Sequence, residues 1–258
     1  MANAQEQGCV WITGASSGIG RALALRYAAA GSIVVASARN TDHLSLLAAE
    51  AARLHLPGSI VPLAVDVTDR QALAAAVAGI EPRHGPIRTA VLNAGTHKEV
   101  TAETFNSDTF EQLWRINVMG VVYGIEALLP RMMRRNGGQI AIVSSVAGYR
   151  GLKTASAYGA SKAALINMAE ALHADLEGYG IDVRLVCPGF VKTPLTDLNT
   201  FPMPFMVTAE VAAERIWQGL EKGTSFEITF PRRFAYILKL ARMLPYSLYF
   251  RLARRATG

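Results

Sequence analysis

Along this chain, short apolar runs alternate with longer stretches of helical spacing. The apolar runs at about 9–13, 33–37, 60–65, 89–92, 140–143, 182–187 and 225–230 have the length and content of buried strands. The stretches at about 18–30, 42–54, 70–78, 107–135, 155–176 and 209–221 carry apolar residues at helical intervals. Gly31 closes the first helix, and Asn136-Gly137-Gly138 closes the long one. Strand and helix in regular alternation predict an α/β fold: a Rossmann-like, doubly wound parallel sheet of about seven strands in three layers. This pattern fills residues 1–230 as one domain. Residues 231–258 form an apolar, basic extension, with Phe234, Ile237, Leu238 and Ala241 expected on one helix face. Pro245 is expected to break that helix, with Leu248, Tyr249 and Leu252 continuing the apolar face beyond it.

Candidate chemistry lies at the ends of the strands. Tyr158 and Lys162 stand four residues apart, hence on one face of the 155–176 helix. An ammonium beside a phenol favours the phenolate, so Lys162 is expected to lower the Tyr158 pKa and make it a general acid or base. Ser145 ends the fifth strand, where its hydroxyl can donate to a carbonyl oxygen as charge develops there. Thr13-Gly14-Ala15-Ser16-Ser17-Gly18-Ile19-Gly20 follows the first strand and opens a helix, a place where N–H groups and the dipole favour a pyrophosphate. Asn93-Ala94-Gly95 follows the fourth strand, and Pro188-Gly189 the sixth. Each motif alone has a plain structural reading, as a surface pair, a Ser-rich turn or a glycine-rich helix start.

In this order the motifs resemble the short-chain dehydrogenase/reductase family across about residues 8–230. The resemblance implies an oxidoreductase that moves a hydride between a nicotinamide and a carbonyl or secondary alcohol. It assigns Tyr158 as acid/base, Ser145 as the hydroxyl that orients the substrate, and Lys162 as tuner and ribose ligand. Asn117 takes the family's fourth catalytic position, organising a water relay to Lys162. It further implies that Gly14, Ser16, Ser17, Gly18, Ile19, Gly20, Asp66, Val67, Asn93, Ala94, Gly95, Pro188, Gly189, Val191 and Thr193 line the cofactor. Asp66 would meet the adenine and Thr193 the carboxamide. Where NAD-preferring relatives carry an acid, this chain has Ala38 followed by Arg39. A guanidinium suits a 2′-phosphate, so NADP(H) is favoured, with NAD(H) left open. Leu92 stands where the family usually has a first Asn, and residues 195–207 are expected to form an apolar substrate lid. A homodimer or homotetramer built on the helices near Asn117 and Tyr158 is also expected.

Composition narrows the partners. The chain has 258 residues, 51% hydrophobic and 18% charged, with a net charge of +6. Seven basic residues and no acid lie in 232–258, so the other 19 basic residues face 20 acids. The basic character belongs to the extension, and no nucleic-acid surface is expected on the body. Cys9 and Cys187 fall in apolar strands and are expected as buried thiols. The five histidines lack ligand spacing, so no metal is expected. The N-terminus lacks a basic and apolar leader, which predicts a cytoplasmic protein. The extension is expected either to pack on the protein or to make a peripheral membrane contact. A dinucleotide sensor without catalysis is the rival reading on the same fold.

Overall fold

The computed structural model describes residues 8–198 and 203–257. Its elements run β1 (Cys9–Thr13), α1 (Gly18–Ala29), β2 (Ile33–Ala38), α2 (Thr41–Arg53), β3 (Ser59–Ala64), α3 (Arg70–His84) and β4 (Ile87–Leu92). They continue with α4 (Ser107–Trp114), α5 (Gly120–Arg134), β5 (Gly138–Val143), α6 (Ser156–Leu176), β6 (Ile181–Pro188), β7 (Val191–Lys192) and β8 (Val207–Thr208). The chain ends in α7 (Ala209–Glu221), β9 (Glu227–Phe230), α8 (Arg232–Met243) and α9 (Tyr246–Thr257). A seven-stranded parallel sheet has the order β3-β2-β1-β4-β5-β6-β9. After β3 the chain returns to place β4 on the other side of β1. That reversal opens a crevice beyond the carboxyl ends of the strands, where such sheets bind ligands.

Alternation along the strands divides the core. Val10 and Ile12 of β1 face α1, α2 and α7, while Cys9 and Trp11 face the side covered by α3, α5 and α6. Both faces are buried along β1, β2, β4, β5 and β6, which is why those strands read as continuous apolar runs, while β3 at the edge is half exposed. Trp11 is fully buried and satisfies its indole N–H on Ser37 Oγ at 3.0 Å. Cys9 and Cys187 are buried free thiols.

Several expectations are corrected. α3 does not stop at residue 78 but continues through Pro82 to His84. The proline falls in the last turn, and Ile80 is buried on the sheet. Glu81 binds Arg131 at 3.0 Å and Arg135 at 2.6 Å, so packing and pairing outweigh one lost backbone bond. The helix expected over 107–135 is interrupted at Arg115–Met119 by a π turn. At its end the Gly120 N–H reaches back to the Arg115 carbonyl.

In the extension, Pro245 does separate two helices, but the inward face differs from the expected one. Ala235 and Leu238 are buried with Phe234 packed beside them, whereas Ile237 points outward, 55% exposed. An ion pair between Lys239 and Glu227 of β9 fixes the rotation of α8. In α9 Tyr249 is buried, its hydroxyl donating to the Gly151 carbonyl, while Leu248 and Leu252 are exposed. Of the expected lid, residues 199–202, including Phe201 and Pro202, lie outside the described residues. Its two flanks are joined by the parallel pairing of Val191 with Val207 and Lys192 with Thr208.

Candidate active site

A cleft of about 830 Å³ lies at the crevice. All the site residues singled out in the sequence line it except Gly20 and Asn117, which stand behind it. The glycine loop shapes one part. Gly14 has φ +66°, and a Cβ there would sit 2.8 Å from the Ala94 Cα. A Cβ on Gly20 would meet the Gly14 carbonyl oxygen at 2.4 Å and Asn93 Nδ2 at 2.7 Å. Asn93 Nδ2 donates to the carbonyls of Thr13 (3.0 Å) and Gly14 (3.2 Å). Thr13 Oγ1 in turn accepts the N–H groups of Asn93 (3.0 Å) and Ala94 (3.1 Å). These bonds lock the loops after β1 and β4 together. Thr193 lies against Gly18, where a Cβ would be 3.0 Å from Cγ2. The N-terminus of α1 points its N–H groups outward with no side-chain cap on Ser17 and no acid in the first turn. This cradle fits a pyrophosphate.

The end of β2 brings Ala38, Arg39 and Asn40 to the cleft opposite Asp66 and Val67. Partial burial pushes the Asp66 carboxyl up. Hydrogen bonds from the Thr68 N–H and hydroxyl, with the charges of Arg39 and Arg115, outweigh that and hold it below its ordinary value. Asp69 caps α3 by accepting the Ala72 N–H at 2.9 Å.

The reacting groups gather where β5 meets α6. Ser144 and Ser145 divide their work: Ser144 Oγ donates to the Lys162 carbonyl at 2.7 Å, pinning the helix. Ser145 Oγ accepts the Ala147 N–H at 3.1 Å and faces the cleft. Tyr158 packs on Val100, Leu113 and Ala157, with the His97 ring set edge-on at 4.7 Å. The expected lowering of the Tyr158 pKa by Lys162 is not what the structure shows. Burial drives the phenol upward, and the hydrogen bond with Ser145 only partly offsets it. Lys162 Nζ lies 5.7 Å from the Tyr158 ring centroid and donates to the Val143 carbonyl at 3.0 Å. Its own burial brings its pKa down to about 8.

Asn117 sits in the π turn with its amide bonded on both sides. Oδ1 accepts the Thr96 N–H (2.8 Å), and Nδ2 donates to the Thr96 carbonyl (3.0 Å) and Ser161 Oγ (3.1 Å). It braces the loop after β4 against α6. Thr96, Ser161 and His97 were missed in the sequence, and Thr13 carried no role there beyond opening the glycine motif. Thr13, Thr96 and Ser161 act through bonds to chain segments distant in sequence, which no local pattern reveals.

Comparison with known proteins agrees with this geometry. A family model described as short chain dehydrogenase matches residues 8–200. An uncharacterized oxidoreductase of Myxococcus xanthus is 37% identical over 244 residues, covering 95% of each chain. The 3-oxoacyl-acyl-carrier-protein reductase FabG of Thermotoga maritima is 34% identical over 186 residues, 72% of this chain and 75% of that one. The structure of a short-chain dehydrogenase from Sphingobium yanoikuyae in complex with NADPH superposes with a TM-score of 0.79 at 26% identity, covering 89% of this chain and 91% of that one. With a dinucleotide cradle at one end of its cleft and a serine, tyrosine and lysine at the other, this chain belongs to the short-chain dehydrogenase family of NAD(P)-dependent oxidoreductases acting on CH–OH groups.

Proposed function

We propose that the chain reduces carbonyl groups on apolar small molecules with NADPH, and oxidises the corresponding secondary alcohols in reverse. One observation carries this reading. Ser145, Tyr158 and Lys162 meet at one end of the cleft, and the end of β2 offers it Arg39 with no acid at position 38. When bound, the nicotinamide supplies the hydride in reduction. The rest falls to the chain. A phenol held above its ordinary pKa keeps its proton at neutral pH, so Tyr158 is loaded as a donor to a carbonyl oxygen gaining charge. Ser145 Oγ accepts the Ala147 N–H at 3.1 Å and its O–H spans 3.4 Å to the Pro188 carbonyl, a long bond it exchanges to steady the same oxygen. The Lys162 ammonium, 5.7 Å from the Tyr158 ring centroid, would donate to the ribose hydroxyls of a bound dinucleotide. Asn117 acts as a positioning residue, holding Thr96 and Ser161 in place. Arg39 would hold a 2′-phosphate, and Asp66 the adenosine, of a bound dinucleotide.

An apolar substrate is supported by aromatic rings near the Pro188-Gly189 loop. Phe234 of α8 stacks on Phe190 at 5.5 Å and lies 6.4 Å from Phe205. The name of the Thermotoga maritima relative, a 3-oxoacyl reductase, and the NADPH in the Sphingobium yanoikuyae complex point the same way. The test is a panel of ketones, including a 3-oxoacyl thioester, a steroid ketone and an aromatic ketone, assayed with NADPH and NADH by nicotinamide absorbance. At least one apolar ketone is expected to turn over faster with NADPH. Turnover of none, in either direction, would remove the proposal.

A further inference from the structure

We infer that the outward side of α8 and α9 is a docking surface for an anionic phospholipid membrane. It rests on the extension alone and is independent of the substrate. Packing accounts for only one side of α8. On the opposite side, Tyr236, Ile237, Leu240 and Met243 follow helical spacing and form a stripe, with Leu240 63% and Met243 80% exposed. Across the Pro245 break, Tyr246 is 70% exposed and stacks on Phe250, also exposed, at 6.0 Å. These are large apolar and aromatic side chains set in solvent side by side, the arrangement that marks an interaction site.

The charges beside the stripe decide among occupants. Arg232, Arg233, Arg242, Arg251 and Arg254 are exposed, and no acid occurs anywhere in 232–258. A second cleft of about 890 Å³ adjoins the stripe between α7, β9 and α8, with Tyr236 on its wall. Arg215, Lys222, Arg232, Arg233 and Lys239 line it against a single acid, Glu227, which Lys239 already pairs. Phosphate groups fit such a rim, and acyl chains fit the stripe. A second copy of this chain fits poorly, because a two-fold contact would set arginines against arginines. Among the described residues no helix is long and apolar enough to cross a membrane, so the contact is interfacial.

The platform is also braced for the task. The Arg150 guanidinium lies over the rings of Tyr246 (4.6 Å) and Tyr249 (4.3 Å), and Tyr249 is bonded to Gly151. Both helices are thus fixed to the body before any lipid is met, which lowers the ordering cost of docking.

The test is co-sedimentation of the full chain with vesicles of phosphatidylcholine alone and of equimolar phosphatidylcholine and phosphatidylglycerol. Two variants accompany it: Ile237→Ser/Leu240→Ser/Met243→Ser, and Arg251→Gln/Arg254→Gln. Their positions are exposed, and a thermal melt unchanged from the parent is the control for folding. The parent is expected to pellet with the anionic vesicles only and to be released by salt. The arginine variant should lose roughly five-fold in affinity for each charge removed, and the serine variant should stay in solution. A parent that remains in the supernatant with both vesicles overturns the inference. So does equal binding to neutral vesicles, or binding unchanged in both variants. If the parent ignores vesicles but light scattering shows an oligomer that the serine variant breaks, a second copy covers the face and the membrane inference is wrong.

Discussion

Burial keeps the proton on the Tyr158 phenol, and this sets what single substitutions should do. Tyr158→Phe removes the donor but leaves the ring packed on Val100 and Leu113. Turnover should fall about a hundred-fold or more, with dinucleotide affinity nearly unchanged by titration; parental turnover would refute the assignment. Lys162 titrates at about 8 instead of its ordinary 10.5. Its ammonium is present below about pH 8 and lost above it, so kcat/KM for NADPH should decline as pH rises through that value. The stability sign is opposite. Between pH 8 and 10.5 the unfolded chain holds the lysine proton that the native one has released, so this group's penalty eases as pH rises. A profile flat until the unperturbed lysine range, ~10.4, would contradict the geometry. For Arg39, removal of a charge-assisted bond worth about 1.5–3 kcal/mol should cut the preference for NADPH over NADH at least ten-fold in Arg39→Ala, measured by titrating both. At this scale residue type and spacing sufficed to bring Ser145, Tyr158 and Lys162 to one cleft. The sequence misled on the Tyr158 pKa, because spacing places Lys162 on the same helix face but says nothing of desolvation or of the Val143 carbonyl that takes its ammonium.

At the level of elements, strands were legible because both sheet faces are buried, and helix boundaries were legible where glycine or asparagine closes them. The π turn at Arg115–Met119 was not, since Arg-Ile-Asn-Val-Met has no feature that distinguishes five-residue from four-residue bonding. Its cause lies in tertiary partners, namely Thr96 and Ser161 on the Asn117 amide and Val67 against Gly120, where a Cβ would meet Cγ2 at 2.9 Å. The rotation of α8 was likewise set by Lys239 meeting Glu227, not by its own periodicity. Two glycines test how far element packing governs the cleft. Gly20→Ala forces a methyl against the Gly14 carbonyl and Asn93, and should cost about 1–3 kcal/mol and weaken dinucleotide binding. Gly79→Ala places its methyl in open space inside α3 and should stabilise by about 0.5–1 kcal/mol. Thermal melts with and without dinucleotide read both. A Gly20→Ala protein that melts and binds like the parent would show that the loop yields.

For the whole molecule, the surface is divided by function. The cleft opens beyond the strand ends, the basic extension flanks β9, and the outer face of α6 is exposed. Ala160, Ala163, Asn167, Ala171 and Ala174 are exposed along α6 at helical spacing, and Trp114 of the neighbouring α4 is also exposed. Small side chains let two helix backbones approach closely, and α6 exposes two acids, Glu170 and Asp175, where the extension carries seven bases and no acid. A two-fold contact here brings α6 of one copy against α6 of the other, directly behind Ser161 and Lys162, so assembly would stiffen the helix that carries the reacting groups. The expected outcome is a dimer or tetramer by light scattering at micromolar concentration. Ala163→Arg should shift it to smaller species, because a long charged side chain then meets its own image across the axis. Turnover per chain should fall with dilution in the parent. If the parent is monomeric throughout, or Ala163→Arg leaves the mass unchanged, α6 is an ordinary solvent face and the reacting helix stands without a partner.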